Sequence, residues 1–560
     1  MQLEYVAHTG AFVLSVPRVD SALVSSLVQE HGWNFSQSAS NAGEAKLFTK
    51  EPYAAVEFVG CAIDGAVERL HPIVSAIAAS RKEASDVKIP VPPDRELWPF
   101  QRASVEYALS RNRVLCGDQP GLGKTPIAIC FANAIRAKRV LVVCPANIRL
   151  QWGTRIREWT TMPRPYLVYP VLSGKNGVHP AAEWTVVSYD LARTEAIGKA
   201  LARGRYDLLI LDEAHYLKST DAERTQAIFG DHSGAFRKLV RTNGRHEYDE
   251  WFPALASRCG AVLALTGTPL PNRPREAYVL ARHLCWDSID WMSEEHFRER
   301  FNPSARMEGF RKDGTRYVYS REEVGRCAEL QNRLRANFMV RHLKRDVMPQ
   351  LQWPAYDLVR VLSTGPVKAA LKAESLLGIN PDLLTTEAET LGNWAVARHR
   401  MGLAIAPQVV EYARMCLDGG EDKLVIGAWH KDVLDEYEKG LHRYGVLRID
   451  GSASPGQKQS RVEQFQRNPD LRVMIGNVIS LGTGTDGLQH ASSHVLIGEP
   501  DPVPGNNEQF VDRLDRGGQK RTVQADLFVA PNSLLETILS HTLTKRRHTH
   551  AALDLINGRR

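Results

Sequence analysis

The feature that most constrains the fold of this chain is a glycine-rich segment between an apolar run and a helical pattern. It reads Gly117-Asp-Gln-Pro-Gly-Leu-Gly-Lys-Thr125, follows the apolar residues 114–116 and opens a predicted helix over 126–137. Glycines allow backbone amides to wrap phosphate oxygens, and a helix N-terminus adds partial positive charge. The segment therefore predicts a nucleotide phosphate site at the end of a buried strand.

Individual residues of this segment are expected to act on an ATP or GTP molecule. Lys124 is expected to reach the β- and γ-phosphates, and Thr125 to ligate Mg²⁺. Asp118, Gly121 and Gly123 complete the predicted cofactor-binding set. The strict phosphate-loop pattern requires glycine at the position of Asp118, so this motif alone also allows a glycine-rich turn of purely structural use.

A second apolar run ends in two adjacent carboxylates. The segment Asp207-Leu-Leu-Ile-Leu-Asp-Glu-Ala-His215 predicts a buried strand with Asp212 and Glu213 at its end. Asp212 can hold Mg²⁺, and Glu213 can polarise an attacking water molecule. A surface acidic pair is the plainer alternative, but the phosphate loop upstream in the same predicted sheet favours the catalytic interpretation.

Periodicity divides the 560 residues into several domains, as expected at roughly 150 residues per domain. Residues 1–90 predict a small α+β unit that ends in a proline-rich linker. Short apolar runs alternate with helical patterns over 95–285 and again over 401–560, which is typical of parallel sheets covered on both faces. Residues 286–400 lack this rhythm and predict helices with one hairpin at 310–319. The predicted class is α/β, with two parallel-sheet lobes.

Composition limits where the chain is expected to act. No apolar run approaches the roughly 18 residues of a membrane span, and the first ten residues lack a secretory pattern. Eight cysteines without a C-x-x-C pair favour a reducing compartment. The net charge of +7 permits a polyanionic partner without requiring one. We expect a cytoplasmic protein without membrane association.

Two arginines near the end of the second lobe are spaced for joint action. The segment Gln509-Phe-Val-Asp-Arg-Leu-Asp-Arg-Gly-Gly-Gln519 contains Arg513 and Arg516, which share one face of a helix because they lie three residues apart. They could point across a cleft at a γ-phosphate as arginine fingers. An ordinary solvated basic face is the alternative.

The order of the motifs resembles helicase superfamily two, and within it the Swi/Snf-type ATPases. The matching segments cover roughly residues 95–545 and are Trp98-Pro-Phe-Gln101, residues 117–125, Cys144-Pro-Ala-Asn-Ile-Arg-Leu-Gln-Trp152, Ser188-Tyr189, the Asp212-Glu-Ala-His215 box, Thr266-Gly-Thr-Pro269 and residues 509–519. The resemblance implies two RecA-like lobes with helical insertions that close on ATP and Mg²⁺. It also implies a translocase on double-stranded DNA.

Two further segments, at 269–276 and 338–347, are most similar to the compact HARP-like annealing-helicase and phage-encoded branch. That branch implies fork regression, strand annealing or branch migration on double-stranded or forked DNA. The N-terminal unit also resembles, by its position before the motor, a domain that recognises branched DNA in that branch. A small cap or protein-docking domain is an equal alternative. We expect a monomer in a bacterial or phage-host nucleoid, with replication or repair proteins as candidate partners. The rival functions are a motor that displaces proteins from duplex DNA and an ATP-gated DNA clamp.

The resemblance also assigns roles to single residues. Gln101 would contact adenine, Asp486 the ribose, and His215 and Gln509 would join the catalytic set with Lys124, Asp212, Glu213 and the two arginines. The DNA-binding candidates at matching positions are Asn147, Gln151, Trp152, His430, Gly451, Ser452 and Thr483. For Trp152, a place in the packed core is an equal alternative to a strand contact.

This sequence departs from the family pattern at three motif positions. Gln119 replaces the usual acid, His342 a usual arginine, and Asp515 the usual histidine between the two arginines. None of the three is required for phosphoryl transfer, so hydrolysis is expected to survive while coupling differs. A polar stretch at 230–250 predicts an inserted basic loop, either a surface excursion or a DNA contact.

Overall fold

The structure is a computed structural model, and it describes most of the chain up to residue 533. Beyond that point it describes only Glu536 and Leu539. Within the described part, no helix is both long and apolar enough to cross a membrane, and all eight cysteines are free. The residues outside the description before 533 are 18–19, 30, 38, 42, 176, 232–234, 243–244, 271–272, 311–315, 350–353, 377–390, 452, 483–484 and 502–503.

The N-terminal unit is a four-stranded antiparallel sheet in the order β1-β2-β4-β3, with helices packed on one face. Its strands are β1 (Gln2–Val6), β2 (Ala11–Pro17), β3 (Asn34–Ser36) and β4 (Glu44–Thr49), and its helices are α1 (Ser21–Gln29), α2 (Pro52–Ala55) and α3 (Asp64–Ser80). Alternate residues of β4 are buried, because one face of the sheet packs on the helices and the other faces solvent.

The first lobe is a seven-stranded parallel sheet in the order β15-β5-β12-β9-β6-β8-β7. Its strands and two antiparallel hairpins are β5 (Arg113–Cys116), β6 (Val140–Cys144), β7 (Val168–Pro170), β8 (Trp184–Ser188), β9 (Tyr206–Asp212), β10 (Ala235–Thr242), β11 (Arg245–Pro253), β12 (Cys259–Leu265), β13 (Ser304–Phe310), β14 (Arg316–Glu322) and β15 (Met339–Val340). Its helices are α4 (Pro99–Leu109), α5 (Lys124–Ala134), α6 (Arg149–Trp159), α7 (Tyr189–Ala192), α8 (Glu195–Ala202), α9 (Glu223–Phe229), α10 (Ala277–Leu284), α11 (Glu294–Phe301), α12 (Cys327–Asn337) and α13 (Lys344–Val347). Every residue of β6 is buried, as expected for a strand covered on both faces.

The second lobe is a six-stranded parallel sheet in the order β16-β21-β20-β17-β19-β18. Its strands are β16 (Ala355–Arg360), β17 (Leu424–Ala428), β18 (Val446–Ile449), β19 (Val473–Asn477), β20 (His494–Ile497) and β21 (Gln524–Val529). Its helices are α14 (Gly365–Leu376), α15 (Leu391–Asp418), α16 (Lys431–Leu441), α17 (Pro455–Arg467), α18 (Val478–Gly482) and α19 (Pro504–Val511). The predicted class, α/β with two parallel-sheet lobes and a small N-terminal α+β unit, is confirmed.

The segment between the lobes contains strands that the sequence did not reveal. Residues 286–400 contribute β15 to the first sheet and β16 to the second, beside the helices and the hairpin β13–β14 that the pattern predicts. The turn of that hairpin lies outside the described residues. The stretch at 230–250, expected to be a loop, pairs as the hairpin β10–β11, but its basic side chains, Arg237, Lys238, Arg241 and Arg245, also lie outside the description.

Strand register brings three motifs to one edge of the first sheet. Leu265 at the end of β12 lies beside Cys116 at the end of β5 and beside Asp212 at the end of β9. Since the strands are parallel, the loops that leave these three ends emerge side by side. The phosphate loop, the acidic pair and the Thr266–Thr268 segment therefore share one edge.

Candidate nucleotide site between the lobes

The phosphate loop wraps the space in front of helix α5, which begins at Lys124. Gly121 and Gly123 take positive φ values of +87° and +77°, a conformation that residues with a Cβ rarely adopt. The Lys124 ammonium donates hydrogen bonds to the carbonyls of Asp118 at 2.8 Å and Gln119 at 3.3 Å. Burial lowers the pKa of Lys124, against the opposing effect of nearby carboxylates. Its ammonium is held at the loop, where a phosphate oxygen could replace the carbonyls.

The acidic pair is buried beside this loop. The indole Nε1 of Trp152 donates to Asp212 Oδ2 at 2.7 Å, and the backbone N–H of Glu213 donates to Asp212 Oδ1 at 3.0 Å. Burial and the neighbouring Glu213 raise the pKa of Asp212 to about 7. Glu213 Oε2 is buried and has no hydrogen-bond partner among the described residues. Two crowded carboxylates and Thr125, which lines the same cleft, fit a bound Mg²⁺ ion.

A chain of polar contacts leads from the acidic pair to the second lobe. His215 Nδ1 lies 2.9 Å from Thr266 Oγ1, and the backbone N–H of Thr268 donates to the same oxygen at 3.1 Å. The side-chain amide of Gln509 donates to Thr268 Oγ1 at 3.4 Å. Burial lowers the pKa of His215 to about 4, so this imidazole is neutral at physiological pH.

The two arginines of the second lobe reach the same cleft. Arg513 donates to the carbonyls of Gly482 at 2.7 Å and Thr485 at 3.1 Å. Arg516 donates to the carbonyl of Asp512 at 3.1 Å. Burial and the neighbouring Arg516 lower the pKa of Arg513 to about 9. The arginine pair is thus partly buried rather than a solvated basic face.

These groups surround a cleft of about 370 Å³. The predicted residues that line it are Gly121, Gly123, Lys124, Thr125, Gln151, Trp152, Asp212, Glu213, Asp486, Gln509, Arg513 and Arg516. Most of the proposed ATP-binding set is therefore brought together, from both lobes. His215 does not line the cleft itself, but it contacts Thr266 and the cleft residue Glu213.

The side chain of Asp118, a predicted member of the cofactor-binding set, points away from the cleft. Its carboxylate is fully buried on the far side of the loop, where Ser104 donates to it at 3.2 Å and the backbone N–H of His342 at 2.8 Å. The carboxylate oxygens of Asp118 already accept hydrogen bonds from His342 and Ser104, so a contact of this side chain with the cofactor gains no support from the geometry and stays a prediction. Only its backbone carbonyl, bonded to Lys124, faces the cleft.

Gln101 lies beneath the phosphate loop. Its amide donates to the carbonyl of Leu122 at 3.0 Å and accepts from the backbone N–H of Trp98 at 2.9 Å. Two residues that no sequence motif selected, Arg95 and Trp159, also line the cleft, and the guanidinium of Arg95 lies 5.6 Å from the ring of Trp159. An apolar ring beside a cation is suited to stacking a purine base.

Asp486 is paired with arginines from both lobes. Its carboxylate accepts from Arg155 of helix α6 at 2.9 Å and from Arg516 at 3.5 Å. Burial alone would raise the pKa of Asp486, but Arg516 and Arg155 lower it below its usual value. The sequence did not identify Arg155, whose role depends on how the lobes meet. Contact of Asp486 with a ribose stays a prediction.

The predicted DNA-binding residues are dispersed. Trp152 is 2% exposed and its indole donates to Asp212, which favours the packed-core alternative over a DNA-strand contact. Gln151 lines the nucleotide cleft. His430 precedes α16 with Nδ1 2.8 Å from Glu499 Oε1. Asn147 is half-buried and Gly451 exposed, whereas Ser452 and Thr483 lie outside the described residues.

The sequence of this chain is similar to those of known proteins. Residues 100–232 match the SNF2-related domain. The SWI/SNF-related matrix-associated actin-dependent regulator of chromatin subfamily A-like protein 1 of Xenopus tropicalis is 30% identical over 448 residues, which are 78% of this chain and 42% of that protein. The human DNA annealing helicase and endonuclease ZRANB3 is 26% identical over 484 residues, 84% of this chain and 41% of that protein.

The chain therefore contains an SNF2-related domain. It is homologous to the two proteins just named, and it spans less than half of their length. Among solved structures, the Sulfolobus solfataricus SWI2/SNF2 ATPase core in complex with dsDNA aligns with 82% of this chain and 98% of its own, at 16% identity and a TM-score of 0.36.

Proposed function

We propose that this chain is an ATP-dependent translocase on double-stranded DNA that remodels forked or branched DNA. Fork regression, strand annealing and branch migration are the reactions that fit this activity. The observation that carries the proposal is the shared cleft, in which Lys124 and Glu213 of one lobe face Arg513 and Arg516 of the other. Homology to a DNA annealing helicase supports the choice of branched DNA.

In the proposed mechanism ATP binds in this cleft with its phosphates in the glycine-rich loop. Lys124 would hold the β- and γ-phosphates, and Thr125 and Asp212 would hold Mg²⁺. Bound Mg²⁺ would neutralise charge on the phosphate oxygens. Glu213 would align the attacking water through Oε2, which makes no hydrogen bond among the described residues. The arginine pair stabilises the charge that develops on the γ-phosphate.

Contacts between the lobes explain why DNA should stimulate turnover. The chain from His215 through Thr266 and Thr268 to Gln509 crosses from one lobe to the other. A duplex that bridges both lobes would favour their closed arrangement, in which the arginines reach the nucleotide. A ligand shifts such an equilibrium by its differential affinity for the two arrangements.

The proposal extends to the partners of the chain. We propose that it acts as a monomer on nucleoid DNA of a bacterial or phage-infected cell, beside replication or repair proteins. The N-terminal unit would contribute recognition of the fork. It packs directly on helix α12 of the first lobe, where Asn332 donates to the carbonyl of Tyr53 at 2.9 Å, so a bound fork could act on the motor without a flexible linker.

The test is the steady-state ATPase rate without nucleic acid and with single strands, linear duplex, a model fork or RNA. Glu213→Gln serves as the control that should bind ATP without turning it over. Strong stimulation by duplex, and stronger stimulation by the fork, is expected. Equal stimulation by duplex and fork would favour a motor that displaces proteins. No response to DNA would overturn the translocase and leave an ATP-gated clamp.

A further inference from the structure

The three departures from the family motif pattern meet at one place in the structure. Gln119 donates its backbone N–H to the carbonyl of His342 at 3.1 Å. Its side-chain oxygen accepts the backbone N–H of Lys344 at 2.7 Å. Asp515 of the second lobe contacts the ammonium of the same Lys344. Residues far apart in sequence are thus linked through the segment 342–344.

Lys344 bridges the two lobes at this point. It begins α13, four residues after β15 of the first sheet, and its side chain is 11% exposed. Its ammonium donates to Asp512 Oδ1 at 2.6 Å, Asp515 Oδ2 at 2.6 Å and the carbonyl of Asp515 at 2.8 Å. Burial would lower the pKa of Lys344, but the two carboxylates raise it above its usual value. The ammonium is therefore charged, and its three N–H groups have three acceptors, all of them in the second lobe.

The two carboxylates alternate with the arginine pair along one turn. Asp512 precedes Arg513, and Asp515 precedes Arg516. The same turn lies directly on the phosphate loop, since a Cβ added to Gly121 would stand 3.2 Å from Arg516 Cγ and 3.2 Å from the carbonyl of Asp515. The position of the turn relative to the loop therefore fixes where both guanidinium groups lie.

We propose that Lys344 is a positioning residue that aligns Arg513 and Arg516 with the phosphate loop by holding Asp512 and Asp515. This inference rests on the proposed ATPase function and assigns a residue outside its catalytic set. Lys344 acts in two ways. It ties the arginine turn to the loop through Gln119, and it occupies two carboxylates that would otherwise pair with the neighbouring guanidinium groups.

The first experiment measures kcat and KM for ATP with saturating duplex DNA. Lys344→Met is expected to lower kcat by about 10- to 100-fold, the range that a displacement of about 1 Å can cost. The KM for ATP should stay within about threefold, because Lys344 is outside the cleft lining. Lys439→Met, which changes an exposed lysine of the second lobe, is the matched control and should leave both constants unchanged.

A double-mutant cycle separates positioning from general damage. Asp515→Asn alone is the milder variant, because Lys344 keeps its pair with Asp512. If the two residues act through their contact, Lys344→Met combined with Asp515→Asn should lower kcat no further than Lys344→Met alone. Additive losses would overturn the proposal. Should Lys344→Met fail to fold, Asp515→Asn carries the test, with an expected loss in kcat at a nearly constant KM; an unchanged kcat would overturn the proposal.

The second experiment needs neither ATP nor DNA. Amide hydrogen exchange of residues 509–519 in the nucleotide-free protein reports whether the arginine turn is held. Lys344→Met, or Asp515→Asn in its place, should speed exchange there and leave the exchange of the distant strand β8 unchanged. Unchanged exchange at 509–519 would overturn the proposal. If the wild-type protein hydrolyses no ATP, the proposed function fails while this measurement still decides the role of Lys344.

Discussion

The carboxylate of Asp118 and the imidazole of His342 form a buried ion pair behind the phosphate loop. Asp118 Oδ1 lies 2.9 Å from His342 Nδ1 and 2.8 Å from the backbone nitrogen of the same residue. The second ring nitrogen, Nε2, lies 3.0 Å from the carbonyl of Lys82. A carbonyl and a carboxylate can only accept, so both ring nitrogens donate and the imidazole is protonated.

This pair predicts a pH dependence of stability. Burial and Arg335 oppose the charged imidazole, yet Asp118 raises the pKa of His342 above 6.5. The stabilisation is therefore complete below about pH 6.5 and is lost as the pH rises through the folded-state pKa. The difference in unfolding free energy between wild type and His342→Gln, measured in denaturant titrations, should shrink as the pH rises above about 6.5.

The same ion pair also predicts a loss of folding stability at low pH. His342 and Lys124 lower the pKa of Asp118 against the effect of its burial, so this contribution is present above about pH 3.9 and is lost as the pH falls through the lowered value. His71→Gln, which changes an exposed histidine of α3, is the control for the neutral range. An equal pH slope in the two variants would contradict a charged His342.

The motifs that sequence alone predicted are local, whereas the residues that it missed depend on lobe packing. Lys124 and Thr125 follow from the spacing of one loop, and Asp212 follows from one apolar strand. Arg155 pairs with Asp486 across the cleft, and no local pattern encodes that distance. For Trp152 the sequence left a core position and a DNA contact as equal alternatives, and its hydrogen bond to Asp212 at the end of β9 favours the core position.

Short strands were missed for a related reason. Strand β15 has two residues, Met339 and Val340, too few for an alternating pattern to appear. Strand β16 has mostly exposed side chains, so its composition resembles a linker. The chain crosses from the first lobe to the second between β15 and β16. Each of the two strands is recognised as a strand only by its pairing with the edge of its sheet. The seven- and six-stranded sheets complete what the two apolar series of the sequence predicted.

A second prediction concerns the N-terminal unit, which is fixed to the first lobe by a buried charge cluster. Arg333 donates to Glu329 at 2.8 Å and Asp290 at 2.7 Å, and it contacts Glu51 of the N-terminal unit. Arg333→Met would leave Glu51 and Glu329 buried with less opposing charge. We expect it to lower the free energy of unfolding by about 3–5 kcal/mol in denaturant titrations.

The control for this change is an arginine in a surface pair. Arg298 lies on α11 within 3.9 Å of Glu295 and is exposed, so Arg298→Met should cost less than about 1 kcal/mol. Limited proteolysis of the linker after α3 should also become faster in Arg333→Met, because the docking of the N-terminal unit is weakened. Equal costs for both arginines would show that the buried cluster does not stabilise the docked arrangement.

A third prediction concerns Mg²⁺. Trp152→Phe removes the indole N–H that donates to Asp212, and residues that orient a metal ligand typically contribute 10- to 100-fold in affinity. The Mg²⁺ concentration that gives half-maximal ATPase activity should rise by about tenfold. Trp184→Phe is the matched control, because Trp184 is equally buried in the first lobe and its indole nitrogen has no partner among the described residues. A similar rise in both variants would mean that packing, not the hydrogen bond, is responsible.

The last prediction concerns the space between the phosphate loop and the arginine turn. Gly121 has φ +87°, and a Cβ there would stand 3.2 Å from the carbonyl of Asp515. Gly121→Ala should therefore strain the loop and push the arginine turn away, lowering kcat for DNA-stimulated ATP hydrolysis by about 100-fold or more. Gly174→Ala, at a first-lobe glycine with open space around its Cβ position, should keep wild-type kcat. Wild-type turnover in Gly121→Ala would mean that ATP is hydrolysed with the lobes further apart than they are in this structure.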